Sequence, residues 1–216
     1  MNGINKQLAE IGGVPVFVLS ALAFEGCKDV GEIIIAAPTG ECRRFEEMAR
    51  SYGVSKLSCV TEGGDSRFRS MKNALEKVSP NSEFIAFHDG ARPLITAEDI
   101  GKVFADAEKY NAAIAAVHAV DTVKTVSGGF IETTPDRSSL FYAQTPQVFR
   151  KELFLSCLER LGGQAENVTD DSQILELCGE NVKITEISGC NMKITRPDDL
   201  TAAQAVYNSR KTFGTN

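Results

Sequence analysis

The segment FHDGARPLIT (87–96) places an acidic and a basic side chain three residues apart, directly after an apolar run. An aspartate at the carboxyl end of a strand stands where doubly wound folds bind ligands, and its carboxylate suits a divalent cation that neutralises phosphates. The Arg92 guanidinium can pair with a phosphate through two hydrogen bonds. Asp89 and Arg92 therefore indicate a site for phosphorylated substrates. The alternative left open is that Asp89 caps the next turn and that Arg92 pairs with it structurally.

A glycine pair stands in EGGDSRFRS (62–70), between a predicted strand and a predicted helix. Backbone amides at such a helix start can face an anion or the edge of a base. Arg67 and Ser70 lie one turn apart at the same helix entrance. The alternative is a plain turn in which Gly63 supplies a positive φ.

Two later segments carry weaker signals. RSSLFYAQTPQVF (137–149) sets polar residues between aromatic ones, which is typical of a buried hydrogen-bonding platform and equally of an irregular segment that crosses the core. GCNMKITRPDDL (189–200) places Lys193 in an alternating pattern that predicts a strand just before a helix. That lysine is either solvated or directed into a cleft.

The elements that position these residues alternate along the chain. Runs rich in branched residues predict strands at 32–37, 56–61, 83–88, 112–120 and 182–187. Helical patterns lie at 15–24, 40–53, 66–78 and 96–111, and again in RKELFLSCLERL and PDDLTAAQAVYNSR; Thr96 and Asp99 predict an N-cap. Strands apolar on both faces suit a parallel sheet covered by helices. The sequence therefore predicts an α/β fold, a Rossmann-like doubly wound and mostly parallel sheet in a single domain (1–216).

One region interrupts this alternation. Residues 121–149 have no helical period, and SGG forms a turn between TVKTV and FIETT. This pattern predicts a protruding β-hairpin arm over about 121–146. An arm of this size on an α/β domain often packs against a partner subunit.

Composition narrows the class of function. The net charge of −6 argues against non-specific nucleic-acid binding but allows a small anionic substrate. Six cysteines without CxxC or metal-ligand spacing predict reduced core residues of a cytoplasmic protein. No apolar run is long enough for a membrane span, and the N-terminus lacks the layout of a signal peptide. No GxGxxG follows a strand, which argues against a nicotinamide-dependent oxidoreductase.

Taken together, the motifs resemble one enzyme family. GGxxRxxS, HDGARP, DTVK, DRSSL, QTPQ, TDDS and NxKITRPDDL follow one another in the order seen in the cytidylyltransferases that act on 2-C-methyl-D-erythritol 4-phosphate. The resemblance extends from about residue 3 to residue 208. It implies a Mg²⁺-dependent transfer of CMP from CTP to the substrate phosphate, with release of pyrophosphate, in the non-mevalonate pathway of isoprenoid biosynthesis.

The resemblance also implies roles for individual residues. The implied catalytic residues are Lys6, on the α-phosphate, Asp89, which also holds the metal, and Lys193. The implied nucleotide-binding residues are Gly63, Gly64, Asp65, Arg67 and Ser70. Arg92 and Thr145 are implied to surround the methylerythritol phosphate, and Thr122 and Arg137 to reach across from the arm and complete the partner's site in a homodimer.

The opening MNGINKQ departs from the family's pattern. The family begins with a strand and a loop of the form AAGxGxRMGxxxPKQ, whereas here Met1 aligns with the methionine inside that motif and Asn5 replaces the proline. We therefore expect the chain as written to be inactive or nearly so, with a start codon assigned too late as the favoured explanation over a decayed gene. Two other functions stay open at this point: a ribitol-5-phosphate cytidylyltransferase, and a catalytically silent nucleotide-binding or dimerisation protein.

Overall fold

A computed structural model of the chain describes residues 6–187 and 189–213. Residues 1–5, which carry most of the expectation drawn from the opening stretch, lie outside the described part. The strands are β1 (Glu10–Ile11), β2 (Val14–Pro15), β3 (Ile33–Ala37), β4 (Leu57–Glu62), β5 (Phe84–Phe87), β6 (Ala112–His118), β7 (Thr125–Ser127), β8 (Phe130–Thr133), β9 (Phe141–Arg150) and β10 (Lys183–Glu186). The helices are α1 (Val16–Glu25), α2 (Cys42–Ser51), α3 (Arg67–Leu75), α4 (Ala97–Tyr110), α5 (Lys151–Leu161), α6 (Ser172–Leu177) and α7 (Pro197–Phe213).

Helix α4 begins where the sequence predicts it. The hydroxyl of Thr96 accepts a hydrogen bond from the backbone N–H of Asp99 at 3.1 Å, which satisfies a donor of the first turn. The helix ends at Tyr110, and the next residue, Asn111, caps it in the left-handed conformation with a φ of 68°. None of the described helices combines the length and the apolar character needed to cross a membrane.

The central sheet has four strands in the order β10–β6–β9–β5, with mixed pairing. β10 runs parallel to β6, whereas β9 runs antiparallel to both β6 and β5. β3 and β4 form a separate parallel pair. The predicted α/β fold with helices around the sheet is confirmed. The central sheet contains more antiparallel pairing than the sequence predicts, because β9 enters between β5 and β6.

Strand β9 is the main departure from the prediction for residues 121–149. In its pairing with β6, residues 144–146 stand opposite the single residue Ala115, so β9 bulges at this point. Pro146 lies in the bulge, where its missing N–H costs no ladder hydrogen bond. A proline in the middle of a run argues against a central strand, which explains why the sequence pattern does not predict β9.

The predicted hairpin arm is present but short. Gly128 and Gly129 form its turn with φ values of 58° and 86°, a left-handed geometry that glycine adopts without strain. The arm does not extend to 146, because Phe141–Ala143 already pair with β6.

Apolar side chains pack on both faces of the central sheet. In β6, Ala113 and Ala115 pack in one cluster with α4, whereas Ala112 and Ile114 pack in another with α5 and α6. Successive residues of a strand point to opposite faces. The two-sided burial explains why the run AAIAAV is apolar throughout.

β3 and β5 lie side by side without pairing. Near their amino ends, the Glu32 carboxylate accepts hydrogen bonds from the Ser79 backbone N–H at 2.8 Å and from the Ser82 hydroxyl at 3.0 Å. A cleft of about 910 Å³ separates the strands, with residues 33–36 on one wall and 84–87 on the other. Within the described ranges, β3 pairs only with β4, and β5 only with β9. Any alignment of the two walls therefore depends on side-chain contacts.

Candidate active site

Asp89 lies at the centre of a charged cluster just beyond the carboxyl end of β5. Its Oδ2 is 2.9 Å from Lys193 Nζ and 3.4 Å from Arg92 Nε, and its Oδ1 is 3.6 Å from Arg67 Nε. Only 16% of the Asp89 side chain is exposed. Burial alone would raise the pKa of this carboxyl, but the hydrogen bond from Lys193 and the three positive charges lower it below its ordinary value. Asp89 is therefore ionised at neutral pH and holds the cations together.

Lys193 reaches Asp89 from a segment that belongs to no strand, so the predicted alternating strand is wrong. A single backbone hydrogen bond, from Ile194 N to Ala91 O at 2.8 Å, attaches this segment to the turn after β5. Ile194 is fully buried in an apolar cluster with residues of α1 and α7. The alternation in the sequence therefore reflects this burial and not a ladder of hydrogen bonds.

Arg92 is anchored from two sides. Besides its contact with Asp89, its Nη1 donates to the backbone carbonyl of Asn191 at 2.8 Å. The Asn191 amide in turn donates to Gln144 Oε1 and to the Thr145 carbonyl, both at 2.9 Å. Burial lowers the pKa of Arg92, although Asp89 opposes the shift. The guanidinium is thus held between the turn after β5 and the bulge of β9.

Thr145 is buried in that bulge, beside the backbone of the central aspartate. Its hydroxyl accepts a hydrogen bond from the Asp89 N–H at 3.0 Å and lies 3.1 Å from His88 Nδ1. Burial lowers the pKa of His88 to about 4, so the imidazole is neutral at neutral pH. The bulge therefore directs Thr145 at the backbone that carries Asp89.

Arg67, the first residue of α3, lies between two carboxylates. Its Nη1 donates to Asp171 Oδ1 at 2.7 Å, its Nη2 donates to Asp171 Oδ2, and its Nε faces Asp89. Burial alone would lower the pKa of Arg67, but the hydrogen bonds and charge of Asp171 raise it. Sequence reasoning did not assign Asp171 a role. The double acid 170–171 in TDDS was the available signal.

The glycine pair of the predicted nucleotide loop is held by the protein itself. Gly63 N–H donates to Ala37 O at 2.7 Å, and Gly64 N–H donates to Ser70 Oγ at 3.0 Å. The prediction that these amides face a ligand is therefore corrected, and Gly63 does not adopt the positive φ of the alternative reading. Close approach explains the glycines, because a Cβ on Gly64 would lie 2.1 Å from Arg69 Cβ.

The other predicted residues lie around this cluster or apart from it. Asp65 and Lys6 are exposed, and Gln7, next to Lys6, lines the cleft together with Asp89 and Ser70. Thr122 is exposed on the arm, and Arg137 Nη1 donates to the Val120 carbonyl at 3.0 Å. Within the described chain, neither Thr122 nor Arg137 forms a hydrogen bond or ion pair with the Asp89 cluster. The structure thus brings together Asp89, Lys193, Arg92, Arg67 and Thr145.

The Asp89 carboxylate suits a metal ion that binds together with substrate phosphates. No three His, Cys, Asp or Glu side chains of the described residues are grouped as a cation site. Mg²⁺ is commonly bound through one or two carboxylates together with substrate phosphates. Asp89 fits that pattern, because its Oδ1 lies 3.6 Å from the nearest cation, beyond ordinary hydrogen-bond distance.

Comparisons with known proteins agree with the fold and with the motifs. A family model described as IspD, 2-C-methyl-D-erythritol 4-phosphate cytidylyltransferase, matches residues 1–209. The enzyme of that name from Geobacillus kaustophilus is 37% identical over 208 residues, covering 96% of this chain and 91% of that relative. The one from Bacillus mycoides is 38% identical over 209 residues, covering 97% and 92%.

Solved structures give the same result. The 4-diphosphocytidyl-2C-methyl-D-erythritol synthase of Anaerococcus prevotii superposes with a TM-score of 0.86 at 29% identity, covering 94% of this chain and 93% of that chain. The 2-C-methyl-D-erythritol 4-phosphate cytidylyltransferase of Francisella tularensis gives a TM-score of 0.79 at 28% identity, with coverage of 94% and 93%.

Proposed function

The chain belongs to the family of 2-C-methyl-D-erythritol 4-phosphate cytidylyltransferases, and on this premise we propose that it transfers CMP from CTP to 2-C-methyl-D-erythritol 4-phosphate. A phosphate oxygen of the sugar alcohol forms a bond to the α-phosphorus of CTP, and the bond from that phosphorus to the β-phosphate oxygen breaks. Pyrophosphate leaves, and the product carries the cytidine diphosphate linkage. The names of the relatives favour this substrate over ribitol 5-phosphate.

One observation carries the proposal: a single carboxylate, Asp89, holds Lys193, Arg92 and Arg67 at one edge of the sheet. Two anionic substrates must meet there, and their charges add at the pentacoordinate phosphorus. Fixed positive charges stabilise that arrangement more than the separate substrates, which lowers the barrier. Incoming phosphates replace Asp89 as the partner of Lys193, whose side chain is 41% exposed.

The nucleophile requires no catalytic base. The second pKa of a phosphate monoester is about 6, so the substrate phosphate is mostly a dianion at neutral pH. The side chains therefore contribute position and charge, as is general for phosphoryl transfer. Arg92 suits the substrate phosphate because its guanidinium is already oriented by Asn191 and Asp89. Lys6 is assigned to the α-phosphate on the family resemblance, which its position beside the cleft supports.

We assign Asp89 as the protein ligand of Mg²⁺, which would supply charge neutralisation on the triphosphate when bound. The carboxylate is ionised, and its Oδ1 is the less engaged oxygen. Removal of Mg²⁺ with EDTA is expected to abolish pyrophosphate release, and added Mg²⁺ is expected to restore it. Full activity in excess EDTA would contradict the assignment.

Pyrophosphate release from CTP tests the function directly. The reaction is measured with Mg²⁺ and either methylerythritol phosphate or ribitol 5-phosphate, with Lys193→Met as the variant of strongly reduced activity and a reaction without protein as the blank. Turnover with methylerythritol phosphate supports the proposal, and turnover only with ribitol 5-phosphate overturns it. A parallel chain that carries any residues encoded in frame upstream addresses the expectation drawn from MNGINKQ. CTP binding without turnover in both chains would favour a silent homologue.

We further propose that the arm forms a homodimer and completes the neighbouring site with Thr122 and Arg137. Apolar side chains exposed on the arm support this: Phe130 is 80% exposed, and Val126 and Ile131 are also exposed. Large exposed apolar side chains close together indicate a protein interface.

The free state of all six cysteines supports a reducing compartment, the cytoplasm.

A mixing experiment tests the shared site. Arg137→Ala and Lys193→Met are each expected to reduce turnover strongly, because each removes one residue from every site of a homodimer. Mixed subunits are expected to regain about a quarter of wild-type activity, since in half of the random dimers one of the two sites keeps both residues. No recovery, although sedimentation shows mixed dimers, would contradict the shared site.

Phe130→Ser is expected to dissociate the dimer, and Leu177→Ser, which removes an exposed leucine elsewhere, is the matched control.

A further inference from the structure

The buried carboxylate of Asp171, which pairs with Arg67, has no place in the reaction described above. We infer that Asp171 is a positioning residue for CTP binding: acting through Arg67, it holds the nucleotide loop 63–66 in place against Asp89. The inference rests on the proposed function, because it concerns the binding of one of its two substrates. Asp171 is only 2% exposed and contacts the guanidinium through both carboxylate oxygens.

Asp171 is a rigid anchor, because its neighbours are tied to the central sheet. The adjacent Asp170 accepts a hydrogen bond from Gln147 Nε2 at 2.9 Å, and Ser172 N–H donates to Gln147 Oε1 at 2.9 Å. Gln147 is a buried residue of β9, 1% exposed. The side-chain amide of Gln147 thus forms hydrogen bonds with both residues that flank Asp171, so the Asp171 carboxylate has a fixed position relative to β9.

Arg67 transmits that position to the nucleotide loop. The loop is joined to α3 by Ser70, whose hydroxyl accepts from Gly64 N–H at 3.0 Å and donates to the Ser66 carbonyl at 2.9 Å. Ser66 in turn caps the helix by accepting from Arg69 N–H at 3.1 Å. Loop and helix start therefore move as one unit, and Arg67 is the first residue of that helix.

Within the described residues no backbone ladder joins this unit to β5 or β9, so side chains hold it: Met71 of α3 packs with apolar residues of both strands, and Arg67 forms ion pairs. The loop follows β4, which pairs with β3, and the cleft separates β3 from β5 and Asp89. Arg67 lines this cleft and contacts two carboxylates that also line it, Asp171 and, after β5, Asp89. The other described ion pair from α3 to that side, Arg69 to Glu166 at 3.7 Å, is exposed and therefore weak. The Asp171–Arg67 pair is thus the strongest described ionic link that sets the distance between the nucleotide loop and the reacting groups.

Asp171→Asn is the test variant, and Glu166→Gln is its matched control. The control also neutralises a carboxylate that pairs with an arginine of α3, but Glu166 is exposed and contacts Arg69 at 3.7 Å. A displacement of about 1 Å at an active site costs up to about 10²-fold in rate. For Asp171→Asn we therefore expect the KM for CTP to rise about tenfold to 10²-fold, with the KM for methylerythritol phosphate within about twofold of wild type. For Glu166→Gln both values are expected within about threefold.

A double-mutant cycle separates positioning from general stability. Arg67→Met is expected to raise the KM for CTP, and adding Asp171→Asn to it is expected to change that KM no further, because Asp171 acts only through Arg67. The double variant leaves no uncompensated buried charge, so it also serves if Asp171→Asn alone fails to fold. Calorimetric titration of the wild type with CTP gives a reference that does not depend on turnover.

An equal rise of the KM for CTP in Asp171→Asn and in its control, an equal rise of both KM values in Asp171→Asn, or additive effects in the cycle would overturn the positioning role. If the wild type binds CTP but does not turn over, the proposed function fails. The inference is then judged by the CTP dissociation constants of the same variants.

Discussion

His88 is expected to make the protein less stable as the pH falls from 7 to 5. Its imidazole lies between the Phe24 ring and the Thr145 hydroxyl, and burial lowers its pKa from 6.5 to about 4. In the unfolded chain the same side chain takes up a proton near pH 6.5. The unfolded state therefore binds more protons between these two values, and the free energy of unfolding falls with pH across this window.

The size of the effect follows from the two pKa values. A difference of one pKa unit corresponds to about 1.4 kcal/mol, so the shift of His88 is worth about 3 kcal/mol when fully expressed below pH 4. Between pH 7 and pH 5 the loss amounts to about 2 kcal/mol, because the unfolded chain is already protonated at pH 5 whereas the folded protein is not. Above pH 7 the contribution of His88 no longer changes.

Urea unfolding of the wild type and of His88→Gln at pH 7, 6 and 5 measures this loss. The glutamine variant has no titrating group at this position, so the difference between the two free energies of unfolding isolates His88 from the carboxylates that both proteins share. We expect the wild type to lose about 2 kcal/mol more than the variant between pH 7 and 5. The carboxyl of Asp89, whose pKa is lowered, titrates below this window.

Parallel stability curves for the two proteins would refute the reasoning. They would mean that folded His88 takes up a proton as readily as the unfolded chain, and hence that water reaches its ring. A wild type that gains stability relative to the variant as the pH falls would contradict the sign of the pKa shift itself.

Three further predictions concern the site and the core. Lys193→Met is expected to lower kcat/KM about 10²-fold to 10³-fold in the pyrophosphate assay, with little change in Tm because the side chain is 41% exposed; activity within threefold of wild type would contradict its role. Gly64→Ala is expected to weaken CTP binding at least about tenfold in calorimetric titration, since the new Cβ would stand 2.1 Å from Arg69 Cβ and the loop must shift; unchanged affinity would show that the loop does not contact the nucleotide. Phe149→Ala is expected to cost about 3–5 kcal/mol in urea unfolding, because Phe149 of β9 is fully buried and stacks on Phe154 of α5; a loss below about 1 kcal/mol would contradict the packing.

Local patterns were sufficient for most helices and strands. The runs rich in branched residues predict β3, β4, β5, β6 and β10 within two residues of their observed bounds. Burial on both faces makes β6 apolar almost throughout, whereas β10 alternates with exposed polar residues. The sequence also predicts the N-cap at Thr96 and the glycine turn of the arm, because each of these features depends on residues that are neighbours in the chain. It does not predict strand β9, because Pro146 breaks its signature and its pairing partners lie far away along the chain.

The sequence by itself determined the α/β class, the family, and Asp89, Arg92 and Lys193 as candidates, because residue types in a fixed local order carry that information. Only the tertiary structure decided which charges meet. Asp171 and Arg67 form an ion pair although they lie 104 positions apart in the chain. The backbone amides of Gly63 and Gly64 donate hydrogen bonds to acceptors within the protein. Such contacts depend on how separate elements pack. Coulombic and hydrogen-bond energies depend on distance in space, and distance along the chain does not specify them.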